Sequence, residues 1–148
     1  MTTYAEIKNA WNKIYEIGEA IVTEHGQITC AQDAATVFAD IAEKEQEHFV
    51  MITLDGNNNV INKHTVHIGT VNKSMVHPRD IFRNALRDNA VAIITAHNHP
   101  SGNLKPSIQD ETMSKHLQNV SDLLEIKVLD FLIISKKGYY SANEAGMI

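Results

Sequence analysis

The sequence predicts a layered α-β-α domain built on a mixed sheet, and three observations carry that expectation. Segments with helical periodicity alternate with strand-like runs from one end of the chain to the other. The run "AVAIITA" is apolar without interruption, the mark of a strand buried on both faces. Two further strand-like runs flank "DGNNN", whose Asp-Gly and Asn residues favour a tight connection and so a β-hairpin. With 148 residues and 43% hydrophobic content, the chain is the size of one globular domain that needs no disulfide staples.

The elements follow in order. Ile7, Ala10, Ile14, Ile17 and Ile21 recur at steps of three and four, which predicts an amphipathic helix from Thr3 to His25, stopped by Gly26. Residues 1–27 are thus assigned to this helix and 28–148 to the domain proper. The apolar stripe suits packing on its own domain, and its a/d spacing leaves a homodimer open. "TCAQDAATVFADIAEKEQE" predicts a second helix capped at Thr29, with Ala34, Val37, Phe38 and Ile41 inward. "HFVMITL" and "VINKHTVHIG" form the hairpin. "HPRDIFRNALRDN" predicts a helix with Pro78 in its first turn and Ile81, Phe82, Ala85 and Leu86 facing the core. After the buried strand, "PSIQDETMSKHLQNVSDLLE" reads as a helix, and "IKVLDFLIIS" and "YYSA" close the domain as a hairpin around "KKG".

Composition narrows the function classes. The one cysteine, Cys30, excludes an internal disulfide framework or a Cys-rich zinc module; it is read as a small buried hydrophobe in a reducing compartment. No apolar run approaches the roughly 18 residues that span a bilayer, and "MTTYAEIKNAW" lacks a signal pattern, so a soluble, cytoplasmic protein without membrane contact is expected. A net charge of -5 provides no strong nucleic-acid signal.

The chemistry concentrates in "TAHNHPSGNLKPSIQDE". His97 and His99 lie two apart at the end of the buried strand, so in an extended chain both rings project from one face. A turn at "PSGN" and a helix re-entry at "KPS" can bring Asp110 back beside them. Two imidazoles, a carboxylate and an open position are what catalytic zinc requires; zinc lowers the pKa of bound water to about 7 and polarises a carbonyl. Ser107 and Asp110 read alone as an ordinary helix start, close to a capping box after Pro106. Spacing leaves both readings open. Amide hydrolysis also needs a base to move a proton from water to the leaving amine, and that base must come from elsewhere in the chain.

The pattern HxH, seven residues, Ser, two residues, Asp is met without a gap by His97, His99, Ser107 and Asp110, and it resembles the signature of the JAMM (JAB1/MPN) metalloproteases. "AHNHPSGNLKPSIQDE", "GTVNKSMVHPRDIFRNAL" and "EHFVMITLDGNNNVI" are similar more narrowly to the RadC-like branch, over about Ile28 to the C-terminus. The resemblance implies the JAB1/MPN fold, similar to that of cytidine deaminases, and a metallopeptidase or isopeptidase in which His97, His99 and Asp110 hold Zn2+. It also implies Glu47 as general base acting through the zinc-bound water, Ser107 steadying the oxyanion, and a peptide or protein as substrate. Glu43 and Glu45 are read as a solvated helix end. Two departures stand out: RadC-like proteins carry an N-terminal helix-hairpin-helix module where this chain has one amphipathic helix, and the branch's "LDH" tripeptide here reads Leu129, Asp130, Phe131. Asp130 is a strand-end aspartate or a partner to a ligand.

The alternative is a RadC-like MPN module acting as an interaction or DNA-processing accessory protein. A nucleobase deaminase would need a PCxxC pair that one cysteine cannot supply. A non-haem iron oxygenase shares the ligand set but nothing marks a co-substrate site. "HNH" matches a nuclease family in letters, without its metal-finger pattern or basic surface. The remaining histidines, at positions 25, 48, 64, 67, 77 and 116, are expected to be bystanders; simple alternation sends His64 and His67 to opposite faces.

Overall fold

A computed structural model describes the protein at residues 3, 5, 6, 9, 10, 26–69 and 76–148. The start of the N-terminal helix is visible at Ala5, Glu6, Asn9 and Ala10. Thr3 and Glu6 cap it reciprocally: the Thr3 amide donates to Glu6 Oε2 at 2.7 Å, and the Glu6 amide donates to Thr3 Oγ1 at 3.3 Å. The rest of that expected helix lies outside the described residues. Gly26 sits at φ +61°, the left-handed conformation a glycine stop uses.

The domain follows as helix α1 (Ala31–Val37), a 3-10 turn (Ala39–Ile41), strands β1 (Glu47–Leu54) and β2 (Val60–Gly69), helix α2 (Pro78–Arg87), strand β3 (Ala92–Asn98), helix α3 (Ile108–Leu124), and strands β4 (Lys127–Ser135) and β5 (Gly138–Ser141). The strands form one sheet in the order β2-β1-β3-β4-β5, parallel only between β3 and β4. The β3–α3–β4 crossover imposes that parallel pair, since two parallel strands need a long connection over one face. Every residue of β3 is buried, as its uninterrupted apolar run requires.

Strand alternation sorts the core into two layers. Val50, Ile52, Leu54, Ile94 and Leu132 pack under α1 with Phe38 and Ile41; Phe49, Met51, Ile93, Phe131 and Ile133 pack under α2 and α3 with Ile81, Phe82 and Leu117. This is the α-β-α layering the sequence predicts. In the β1–β2 connection Asp55 Oδ1 accepts the amides of Asn57 and Asn59, both at 2.9 Å, and Asn58 takes φ +60°.

Five expectations need correction. The second helix is shorter than its apolar spacing suggests: it breaks after Val37 and tightens into the 3-10 turn, although Ala34, Val37, Phe38 and Ile41 are all buried. Thr29 does not cap it; the N-cap is Cys30, and Thr29 donates from its amide and hydroxyl to Asp33 Oδ2 at 2.8 and 2.6 Å. That cap position leaves Cys30 exposed rather than buried. Leu86, on the last turn of α2, is 60% exposed because the inward stripe has rotated past it.

The fifth concerns His64 and His67. β2 carries one extra residue opposite the Phe49–Val50 step, so His67 lies across from Phe49 and His64 across from Met51. The bulge shifts the phase by one, and both histidines occupy the same face. His64 there bonds Asp88 Oδ2 at 2.6 Å, a carboxylate that also accepts Thr53 Oγ1 at 2.6 Å and Asn62 Nδ2 at 3.0 Å. Burial pushes the Asp88 carboxyl up, but the hydrogen bonds from His64, Thr53 and Asn62 outweigh it and hold the group below the ordinary carboxylate range. A depressed carboxyl contributes stability that is present above its unfolded pKa of about 3.9 and is lost as pH falls through the lower folded value. Urea titrations should therefore find wild type more stable than Asp88→Asn at neutral pH, with the gap closing below about pH 4. A gap independent of pH would show that charge at Asp88 is not what ties α2 to the hairpin.

Candidate metal centre

β1 and β3 run antiparallel with Phe49 opposite His97. Directly opposed residues share a face, and so do residues two apart on a strand, so Glu47, Phe49 and His97 project to one side of the sheet. His99 follows one residue beyond β3, its amide still donating to Ile134 O at 3.1 Å. The chain then turns, with Gly102 N bonding His99 O at 2.9 Å and Gly102 at φ +82°, and re-enters α3 at Ser107.

The start of α3 is a complete capping box. Asp110 N donates to Ser107 Oγ at 3.1 Å, and Ser107 N donates to Asp110 Oδ2 at 2.7 Å. The ordinary reading of these two residues is thus realised, and it does not compete with the other one. The same Asp110 carboxylate places Oδ1 at 3.0 Å from His97 Nε2 and Oδ2 at 3.3 Å from His99 Nε2, while the two Nε2 atoms are 2.9 Å apart.

His99 Nδ1 lies 2.5 Å from the Asn103 carbonyl oxygen. A carbonyl only accepts, so Nδ1 carries the hydrogen and the lone pair falls on Nε2, on the side of His97 and Asp110. His97 is 1% exposed; Phe49 stacks parallel to its ring at 6.2 Å and Phe131 packs against it, tilted, at 5.1 Å. Phe131, where the resemblance leads one to expect a histidine, is therefore a wall of the site. Asp130 points to the opposite face, where it accepts Ser141 Oγ at 2.5 Å and Asn143 N at 3.0 Å and anchors the C-terminal turn. Burial pushes the Asp130 carboxyl up, and these bonds only partly offset it.

The donor set fits a cation. Bonds of about 2.0–2.1 Å to a tetrahedral ion separate ligand atoms by about 3.3 Å, close to the three separations found. A 1% exposed carboxylate directed at two imidazole nitrogens also needs a positive counter-charge to offset its desolvation. Among the described residues His97, His99 and Asp110 are the group of His, Cys, Asp or Glu that could hold a metal ion. Glu47, the first residue of β1, places Oε1 3.9 Å from His97 Nε2. Glu47, His99 and Ser107 line a cleft of about 730 Å³, together with Gly69, Lys105 and Gln109.

All five residues singled out from the sequence thus come together. Glu43 and Glu45 are both exposed, as expected, although Glu45 reaches the rim of the cleft. Asn103 and Phe49 escaped the sequence reading, and Phe131 was marked there only as a departure from the branch's tripeptide, without a role. Asn103 acts through a backbone carbonyl and leaves no side-chain signal, and Phe49 sits unmarked in an apolar strand.

The family model for the RadC-like JAB domain matches residues 28–147, most of the chain. This chain belongs to the RadC-like JAB domain family. Its relatives include UPF0758 proteins of Streptococcus equi subsp. zooepidemicus, 38% identical over 90% of this chain and 58% of that protein, and of Geobacillus thermodenitrificans, 41% identical over 82% and 54%. Another, from Listeria monocytogenes, is 41% identical over 86% of this chain and 58% of its own length. This RadC-like chain spans a little over half the length of these relatives. Among its described residues no helix is long and apolar enough to cross a membrane.

A cation held by these three side chains would link metal binding to stability. Zinc at about 100 times its Kd should stabilise the fold by about 2.7 kcal/mol and raise Tm by about 5–10 °C. The rise should vanish in His97→Ala and Asp110→Ala. Equal rises in wild type and His97→Ala would place any zinc elsewhere.

Proposed function

We propose that this chain is a zinc-dependent metallopeptidase or isopeptidase acting on a peptide or protein. The observation that carries the reading is Glu47 at the mouth of the cleft, 3.9 Å from a nitrogen of the buried His/His/Asp set. Three groups converge as ligands and a fourth, a carboxylate from a different strand, approaches without joining them. That division of labour suits hydrolysis better than an accessory role, which has no use for a base beside the ligand atoms.

His97, His99 and Asp110 would hold the metal through two nitrogens and an oxygen, a small mixed set that suits zinc. When bound, zinc supplies an acidified water and polarises the scissile carbonyl. Glu47 takes a proton at Oε1 and returns it to the leaving amine, so one carboxylate serves as base and then acid. Ser107 accepts from Asp110 N through Oγ, and a hydroxyl that accepts can also donate; its hydrogen supports the oxyanion of the substrate amide. Phe49 and Phe131 restrict the His97 ring and exclude water from the inner side of the site. A cytoplasmic setting accords with a single, exposed cysteine.

A peptide-library cleavage assay on zinc-loaded protein tests the reading. Glu47→Gln should retain zinc while kcat falls by about 10² to 10⁴. Undiminished turnover in this variant would remove Glu47 from the mechanism, and absence of cleavage by wild type would favour the accessory role. Ser107→Ala should lower stability by about 1 kcal/mol as a lost cap. It should also lower kcat by about 10² to 10³ if the hydroxyl serves the oxyanion. A stability loss with kcat intact would confine Ser107 to capping.

A further inference from the structure

Asn98 is the residue between the two histidines, and alternation turns it to the other face of the sheet. It is 0% exposed, and a buried carboxamide needs partners for two N–H groups and an oxygen. Asn98 finds all three on one short segment of backbone. Oδ1 accepts His48 N at 2.6 Å, and Nδ2 donates to Gln46 O at 3.0 Å and to Lys44 O at 3.2 Å. Gln46 and His48 are the neighbours of Glu47 in the chain, so these bonds hold the backbone on both sides of it.

The backbone needs this support at that point. The β1–β3 ladder ends at the Phe49–His97 pair, and no backbone pairing with β3 continues to His48 or Glu47. On its other side Glu47 pairs with Gly69 at the end of β2. The carboxamide of Asn98 takes over where the ladder stops, and it joins the strand that carries His97 to the segment that carries Glu47. Few side chains could replace it: aspartate lacks the two donors, serine has one and is shorter, and leucine has the shape without polar atoms.

We infer that Asn98 is a positioning residue that sets the distance between Glu47 and the cation by clamping the backbone from Lys44 to His48. The inference rests on the hydrolytic reading above. Asn98 itself touches neither substrate nor metal in this scheme; it acts through Glu47.

The test uses Asn98→Ala, and Asn98→Ser should the alanine variant fail to fold, with three readouts: zinc affinity by chelator competition, kcat and KM on a peptide cleaved by wild type, and a crystal structure of the zinc-loaded variant. A displacement near 1 Å at a reacting group can cost about 10² in rate, so kcat should fall by about 10² while zinc Kd and KM stay within about threefold. Glu47 should move away from the ligand set. A folded variant with kcat within about threefold of wild type overturns the inference. So does a loss of zinc affinity that matches the loss of kcat, since Asn98 would then support the ligands rather than the base. Failure of wild type to cleave any peptide counts against the hydrolytic reading alone. The structure then decides: a shifted Lys44–His48 segment supports the clamp, and Glu47 still 3.9 Å from His97 Nε2 overturns it.

Discussion

One carboxylate holds the two halves of the site together. Asp110 caps its own helix through the Ser107 amide and faces His97 and His99 at the end of β3. The helix start and the strand end are therefore fixed to each other. At 1% exposure it sits in a low-dielectric setting where every polar contact counts for more and every missing one costs more. Its position in the first turn of α3 adds the favourable field of the helix N-terminus. The capping box fixes the rotamer of Asp110 and so holds its carboxylate facing the two imidazoles, ready to take a cation.

The opposite side of the centre is built by the sheet. β3 is flanked by β1 and β4, and its histidine end is stiffened by the His99–Ile134 backbone bond. Aromatic rings from β1 and β4 close on His97. Glu47 arrives from the antiparallel neighbour, where register places it on the same face as His97. Glu47 and His97 thus come from two different strands, and the side chain between the histidines ties those strands together.

Much of the fold was legible because apolar periodicity is a local signal. The buried run of β3, the hairpin around "DGNNN" and helix α3 all follow from it. The misreadings share a cause. The break in α1, the outward turn of Leu86 and the exposed Cys30 depend on how far each helix rotates against the sheet, which the packing decides. His64 and His67 were assigned by simple alternation, and one bulge reverses that relation without any mark in composition. At the site, Ser107 and Asp110 seemed to pose a choice between a cap and a ligand. The two roles are compatible, because a carboxylate has two oxygens with several lone pairs.

By itself the sequence determined which residue types could form a metal centre and that two of them end a buried strand, because side-chain period and ligand chemistry are properties of short stretches. The resemblance named Glu47, but only the tertiary structure decided how it comes to lie beside them and that Asn98 reaches across some fifty residues of chain to the segment carrying it. Strand order and register are set by packing two core layers on one sheet. No local stretch contains that information.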